Sequence, residues 1–338
     1  MQVRRTSPST RFALCALLAL PLQSACVQLG GERGESPWVD FKPLVAMEEG
    51  PRYHTLEGYD PIWKERVQEG IEASRAYWGS YGPTHVWILG REDGERVSEE
   101  DQGAFLEEYC ACRTATVERT IEECRPYARE RFLDVMERGD AEAYLSYVRE
   151  TDPPMAELVF INVHKWYFER DPVPDPVLRG IHAYTHVFQS AFPVTPTWMM
   201  EGGAVFAEAW LPWRSGRRGI EEVMGYSMEA AQEVLRKGRS IDEMEEIETA
   251  PQRIARYHRE LAYDAGAWAV AFMIHESETQ RVSSLRDEFY PSVRHLGWEA
   301  ALAEYTRRES KQEFYADFAE FMSSPRDEQL ALLTRLKD

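Results

Sequence analysis

Apolar residues are distributed along this chain in two ways. Two short runs, HVWILG at 85–90 and ELVFINVHKW at 157–166, are nearly continuous stretches of Val, Ile and aromatics, the composition of buried strands. Elsewhere apolar positions recur every three to four residues, the period of one helix face. A helix is expected over 61–77 ahead of the first strand, and 99–149 reads as a helical insertion closed by DPP at 152–154. DPVPDP at 171–176 makes a rigid connection, after which Asp175 can cap a helix that accepts Pro176 in its first turn and runs to Ala191 before Pro193. Another helix begins near Thr197 and runs to Pro212. From Gly219 onward, charged periodic segments predict helices at 219–236, 257–277, 295–306 and 310–323. No internal repeat or low-complexity tract appears. Strands early and helices late indicate an α+β chain: an N-terminal lobe over 51–175 that carries the 99–149 insertion, then an all-helical subdomain over 176–338.

Composition narrows the partners. With 338 residues and 43% hydrophobic content the chain can bury a large core, and 58 acidic against 39 basic residues give a net charge of -19 that repels phosphate backbones and anionic headgroups. Nucleic acid is therefore excluded as an expected partner. Residues 1–26 read as an export leader, with Arg4, Arg5 and Arg11 ahead of an apolar run from Phe12 to Leu22 that is shorter than the ~20 residues of a membrane anchor. LQSAC at 22–26 resembles a lipobox with Gln23 in the leucine position, so three readings stand: a lipid anchor at Cys26, plain cleavage after Ala25, or a segment left uncleaved, the lipid being the only expected membrane attachment. Residues 27–50 then form a tether. Beyond the leader, Cys124 can pair with Cys110 or Cys112, leaving one thiol, or all three remain thiols. C-x-C plus one Cys matches no usual zinc spacing and no nearby His completes it, so no metal is expected there.

RGIHAYTHVFQSAF at 179–192 places His182 and His186 four residues apart, on one helical face. With 8 histidines, chance supplies roughly 0.2 such pairs, so the pair needs support. Glu201, across a short Pro-bounded loop on the next helix, provides it: two imidazoles and a carboxylate make a three-ligand zinc site with an open fourth position. Gly202 and Gly203 let backbones pack closely behind it. The bland alternative is a pair of core histidines and a carboxylate favoured near a helix start.

HAYTHVFQ followed by PTWMMEGGAVFAE resembles the gluzincin zinc metallopeptidases, in which H-E-x-x-H precedes a helix beginning W-x-x-E-G-x-A. YDAGAWAVAFMI at 263–274 and RRESKQEFYADFAEFM at 307–322 are similar to later helices of the family, so the likeness covers about 155–323. It implies a thermolysin-like fold, a small mixed sheet lobe plus the helical subdomain, with His182, His186 and Glu201 as zinc ligands and Tyr263 as the candidate oxyanion donor. Ala183 stands where the family carries the glutamate that moves the proton of the attacking water, and a methyl group cannot do so. Glu208 is placed to support a ligand histidine or to serve as a solvated helix charge. No G-x-M-E-N segment marks amino-terminus recognition, which leaves a peptide or protein ligand lying along the sheet edge as an added strand. The expectation is an exported cell-envelope protein of metallopeptidase type that holds zinc and binds peptides with little or no cleavage. Its rivals are an active endopeptidase using a substitute base, such as Glu208 or a substrate carboxylate, and a metal-free envelope scaffold.

Overall fold

The computed structural model describes residues 42–92, 95–114, 120–166 and 175–338. The leader 1–26, Cys26 and the first part of the tether lie outside the described residues, as does 171–174 of the proline-rich connection.

A four-stranded mixed sheet is built from β2 (Arg52–Thr55), β4 (Thr84–Leu89), β5 (Glu142–Val148) and β6 (Met155–Ile161) in the order β2-β4-β6-β5. β2, β4 and β6 run parallel, and β5 is an antiparallel edge. Both apolar runs read from the sequence are the central strands, buried on both faces as their lack of alternation requires. A second, two-stranded pairing joins β1 (Val45–Ala46) to β3 (Tyr81–Gly82).

One face of the sheet, with Val86, Ile88, Leu158 and Phe160, packs on α1 (Pro61–Trp78) and α5 (Pro176–Gln189). The opposite face, with Trp87, Leu89, Val159 and Ile161, is covered by α2 (Glu99–Thr114), α3 (Ile121–Ala128) and, beyond a π-helical turn, α4 (Asp134–Arg138). A disulfide between Cys110 and Cys124 ties α2 to α3, the first of the two pairings left open by the sequence.

After α5 come α6 (Thr197–Arg214), α7 (Ile220–Arg236), the short α8 (Gln252–Ala255), a π-helical turn at Arg259–Ala265, α9 (Gly266–Glu276), α10 (Tyr290–Leu296), α11 (Trp298–Tyr305), α12 (Lys311–Phe321) and α13 (Arg326–Leu333). No strand occurs among residues 176–338 beyond an isolated bridge from Arg281 to Lys337. The apolar core of these helices is continuous with the α1/α5 face of the sheet, so the two lobes share one interior. Backbone contact sets the helix crossings. A Cβ on Gly70 would fall 1.9 Å from Val177 O, and one on Gly202 would fall 2.2 Å from the Gly266 carbonyl carbon.

Several expectations need correction. Residues 142–148 are a strand rather than the end of a helical insertion: Gly139, in the left-handed region at φ 81°, ends α4, and AYLSYV then pairs along β6. The tether is shorter than 27–50, because Leu44 is buried with its N–H on Ser190 O and Val45–Ala46 pairs with β3. The second run stops being strand at Ile161, where Asn162 turns left-handed at φ 49°. α6 passes through Pro212, which costs one backbone bond in its last turns, and Gly297 at φ 78° separates α10 from α11 within the single helix expected over 295–306. Asp175 occupies the N-cap of α5 without a side-chain capping bond.

Candidate metal centre

α5 is buried on nearly every side, and only Arg179 and His182 among its residues keep intermediate exposure. Its crossing with α1 holds it under the sheet, and Thr185 reaches Ser74 of α1 at 3.3 Å. α6 is fixed at its start, where the Thr197 N–H donates to Glu245 O at 2.9 Å and Trp198 Nε1 donates to Tyr315 Oη at 3.2 Å. Glu201, in the second turn of α6, is thereby brought over the two imidazoles of α5.

Three ligand atoms converge. Nε2 of His182 and Nε2 of His186 are 3.1 Å apart, and Glu201 Oε2 lies 3.4 Å from the first and 3.5 Å from the second. Zinc bonds of ~2.0–2.1 Å arranged tetrahedrally set ligand atoms about 3.3 Å apart, so these side chains need little movement to hold the ion. Glu201 is 4% exposed, and its Oε2 accepts no hydrogen bond despite that burial. A buried carboxylate oxygen so placed is costly unless a cation meets it.

A second set of partners aims the imidazoles. His186 Nδ1 is 2.7 Å from Gln189 Oε1, and Gln189 Nε2 in turn donates to Met200 O at 3.0 Å and to Tyr290 Oη at 3.1 Å. Because an amide oxygen only accepts, Nδ1 of His186 carries a proton and donates it to Gln189, which leaves Nε2 facing Glu201 and His182. Gly203 leaves room for this amide: a Cβ there would meet Gln189 Nε2 at 2.9 Å. Behind the other imidazole, His182 Nδ1 is 3.2 Å from Glu208 Oε1, an ion-pair contact without hydrogen-bond alignment, and Arg179 approaches the same oxygen at 3.8 Å.

Burial opposes charge on His182, but the Coulombic pull of Glu208 and the contacts with Glu201 outweigh it and push the imidazole up to about 9. Burial likewise disfavours the Glu201 carboxylate, yet His186 and His182 together hold it well below the usual carboxylate range. His182 is thus held as a charged imidazole beside the Glu201 carboxylate, a positive charge that a metal ion would replace.

Ala183, 6% exposed, follows His182 on α5 and brings no proton-transfer group. Tyr263 sits in the π-helical turn Arg259–Ala265 with its ring parallel to that of His182, centroids 6.0 Å apart. His258, which sequence reasoning missed, stands edge-on to Tyr263 at 5.4 Å, and burial lowers its basicity despite the nearby Glu201. Gln189 was also missed. Its signal was the spacing of three from His186, which puts it on the same helical face.

Comparison with protein-family models, curated proteins and solved structures returns no match to this chain.

Proposed function

We propose that the protein is a zinc-holding relative of the gluzincin peptidases whose groove binds peptide and whose hydrolytic power is reduced by the lack of a base at Ala183. The carrying observation is the convergence of His182, His186 and Glu201 at 3.1–3.5 Å around one point, with a buried carboxylate oxygen left unsatisfied. Zinc in that position supplies Lewis acidity and lowers the pKa of water. The chain's own contribution is to hold the two imidazoles through Gln189 and Glu208 and to keep Tyr263 beside His182, where its hydroxyl serves a developing oxyanion. What the chain withholds is proton transfer. Glu208 is no replacement, because it faces Nδ1 of His182, on the opposite side of the ring from the Nε2 atom that meets His186 and Glu201.

β5 is the antiparallel edge of the sheet, unpaired on its outer side among the described residues, and α5 packs against it. An extended peptide adds there as a further strand, with main-chain bonds giving affinity. In this reading the N-terminal leader exports the chain and Cys26 carries a lipid that anchors it to the cell envelope. Mass spectrometry of the mature N-terminus checks this, and an unacylated Ala25 or Cys26 amine contradicts it.

Ala183→Glu tests the functional reading. A carboxylate at this position, adjacent to the first ligand on α5, restores the absent base and is expected to raise cleavage of an unstructured protein by about 10² to 10⁴, or roughly 3–5 kcal/mol in the barrier. Ala183→Gln matches the size without the base and stays at the wild-type rate. Wild-type cleavage as fast as that of the Glu variant would show that Ala183 disables nothing.

A further inference from the structure

We propose that His54, His85 and Cys112 form a second metal site, for a borderline-soft divalent cation of the zinc type, on the face of the sheet opposite the first. Their ligand atoms all lie within 4.8 Å of one another. The sequence gives no warning of this, since the three residues come from β2, β4 and α2 and no histidine lies near the cysteines in the chain. The fold supplies what the spacing lacked.

The parallel ladder sets His54 opposite Trp87, so His85, two residues before Trp87, is its diagonal neighbour on the same face. His54 stacks on Trp87 with centroids 3.9 Å apart, which leaves the ring one orientation, and its Nε2 lies 3.0 Å from His85 Nδ1. On its other side His54 Nδ1 is 2.6 Å from Glu108 Oε1. A carboxylate accepts, so Nδ1 carries the proton and Nε2 turns its lone pair toward His85 and Cys112. A carboxylate fixing the far nitrogen of an imidazole is the support that metal-binding histidines commonly have.

Glu108 and Cys112 are four residues apart and share one face of α2. The disulfide through Cys110, two residues before Cys112, ties that end of the helix to α3, while Cys112 keeps its thiol. Two imidazole nitrogens and one thiolate are zinc ligands of ordinary type, with a fourth position left for water. As the sulfur–metal bond forms, the thiol proton passes to solvent. An ion held there pins the end of α2 to the β2 side of the sheet.

Cobalt(II) distinguishes the two sites, because His182, His186 and Glu201 offer it no sulfur. Titrating the protein, with its disulfide intact and Cys112 reduced, is expected to raise a near-ultraviolet thiolate-to-cobalt band that saturates. The band is retained in His186→Ala, lost in Cys112→Ser and weakened at least tenfold in affinity in His85→Ala. A wild-type measurement guards against misfolded variants: zinc is expected to slow alkylation of Cys112 by iodoacetamide at least tenfold, with the rate restored by a chelator. No band in the wild type, a band that survives Cys112→Ser, or alkylation as fast with zinc as without it would each overturn the proposal.

Discussion

The two histidine clusters lie on opposite faces of one sheet and are put together differently. The His182 cluster is almost wholly buried and assembled from two consecutive helices, each clamped by the core: α5 against α1, and α6 against α9 through Gly202 and Gly266. Its ligand atoms are backed by Gln189 and Glu208, themselves buried. The His54 cluster is partly exposed, draws on three separated segments and depends on Glu108, whose side chain is 53% exposed. The first site is therefore pre-formed by packing, whereas the second relies on the disulfide to hold α2 in place. Rigidity of the supporting shell governs how much binding energy is left after ordering the ligands.

Reducing the disulfide should break the comparison most severely. Cys110 and Cys124 close a 14-residue separation, for which loop-closure entropy amounts to about 3 kcal/mol. Thermal unfolding in reductant is expected to shift downward, with cobalt's sulfur band lost while zinc at His182 and His186 is retained. Loss of both metals together would mean that the clusters are not independently supported.

A narrower change is Gln189→Leu, which removes the acceptor of His186 Nδ1 and the side-chain donor to the carbonyl of Met200. Zinc affinity at the first site should fall about 10- to 100-fold, with the cobalt–sulfur band untouched. Isothermal titration of the Cys112→Ser background reads the first site alone. An unchanged affinity would show that the imidazole is aimed by packing and not by this amide.

The smallest effect is one of slope. Because His182 is pushed up to about 9, it holds its proton at neutral pH, and zinc must displace that proton before Nε2 can donate. Apparent zinc affinity should therefore climb about tenfold per pH unit on approaching 9 and flatten above it. Glu208 is the largest influence raising this imidazole, so Glu208→Gln should bring the bend to lower pH. Chelator competition from pH 6.5 to 8.5 measures it, and identical slopes in both proteins would exclude Glu208 as the controlling charge.

What the sequence disclosed follows the same division. His182, His186 and Glu201 were legible because a helix converts a spacing of four into proximity and a short loop converts chain order into adjacency. The parallel strands β4 and β6 were legible from continuous apolar runs. β5 was not, since EAYLSYV follows a helical stretch and owes its conformation to pairing along β6. β2 is only four residues long, and its edge position depends on β4. His54, His85 and Cys112 meet through strand register and a helix crossing, neither of which leaves a local signature. The Cys110 pairing was one of two that the sequence allowed, and the fold distinguishes them by directing Cys112 toward the histidines.

The most direct test of the central claim is the zinc content of Cys112→Ser, which removes the sulfur site and leaves His182, His186 and Glu201 intact. After dialysis against zinc and then metal-free buffer, elemental analysis should find about one zinc per chain, falling to none when His186→Ala is added. Metal far below one per chain in Cys112→Ser, or an equal amount with and without His186, would contradict the assignment and leave these residues as a buried ion pair in a metal-free scaffold.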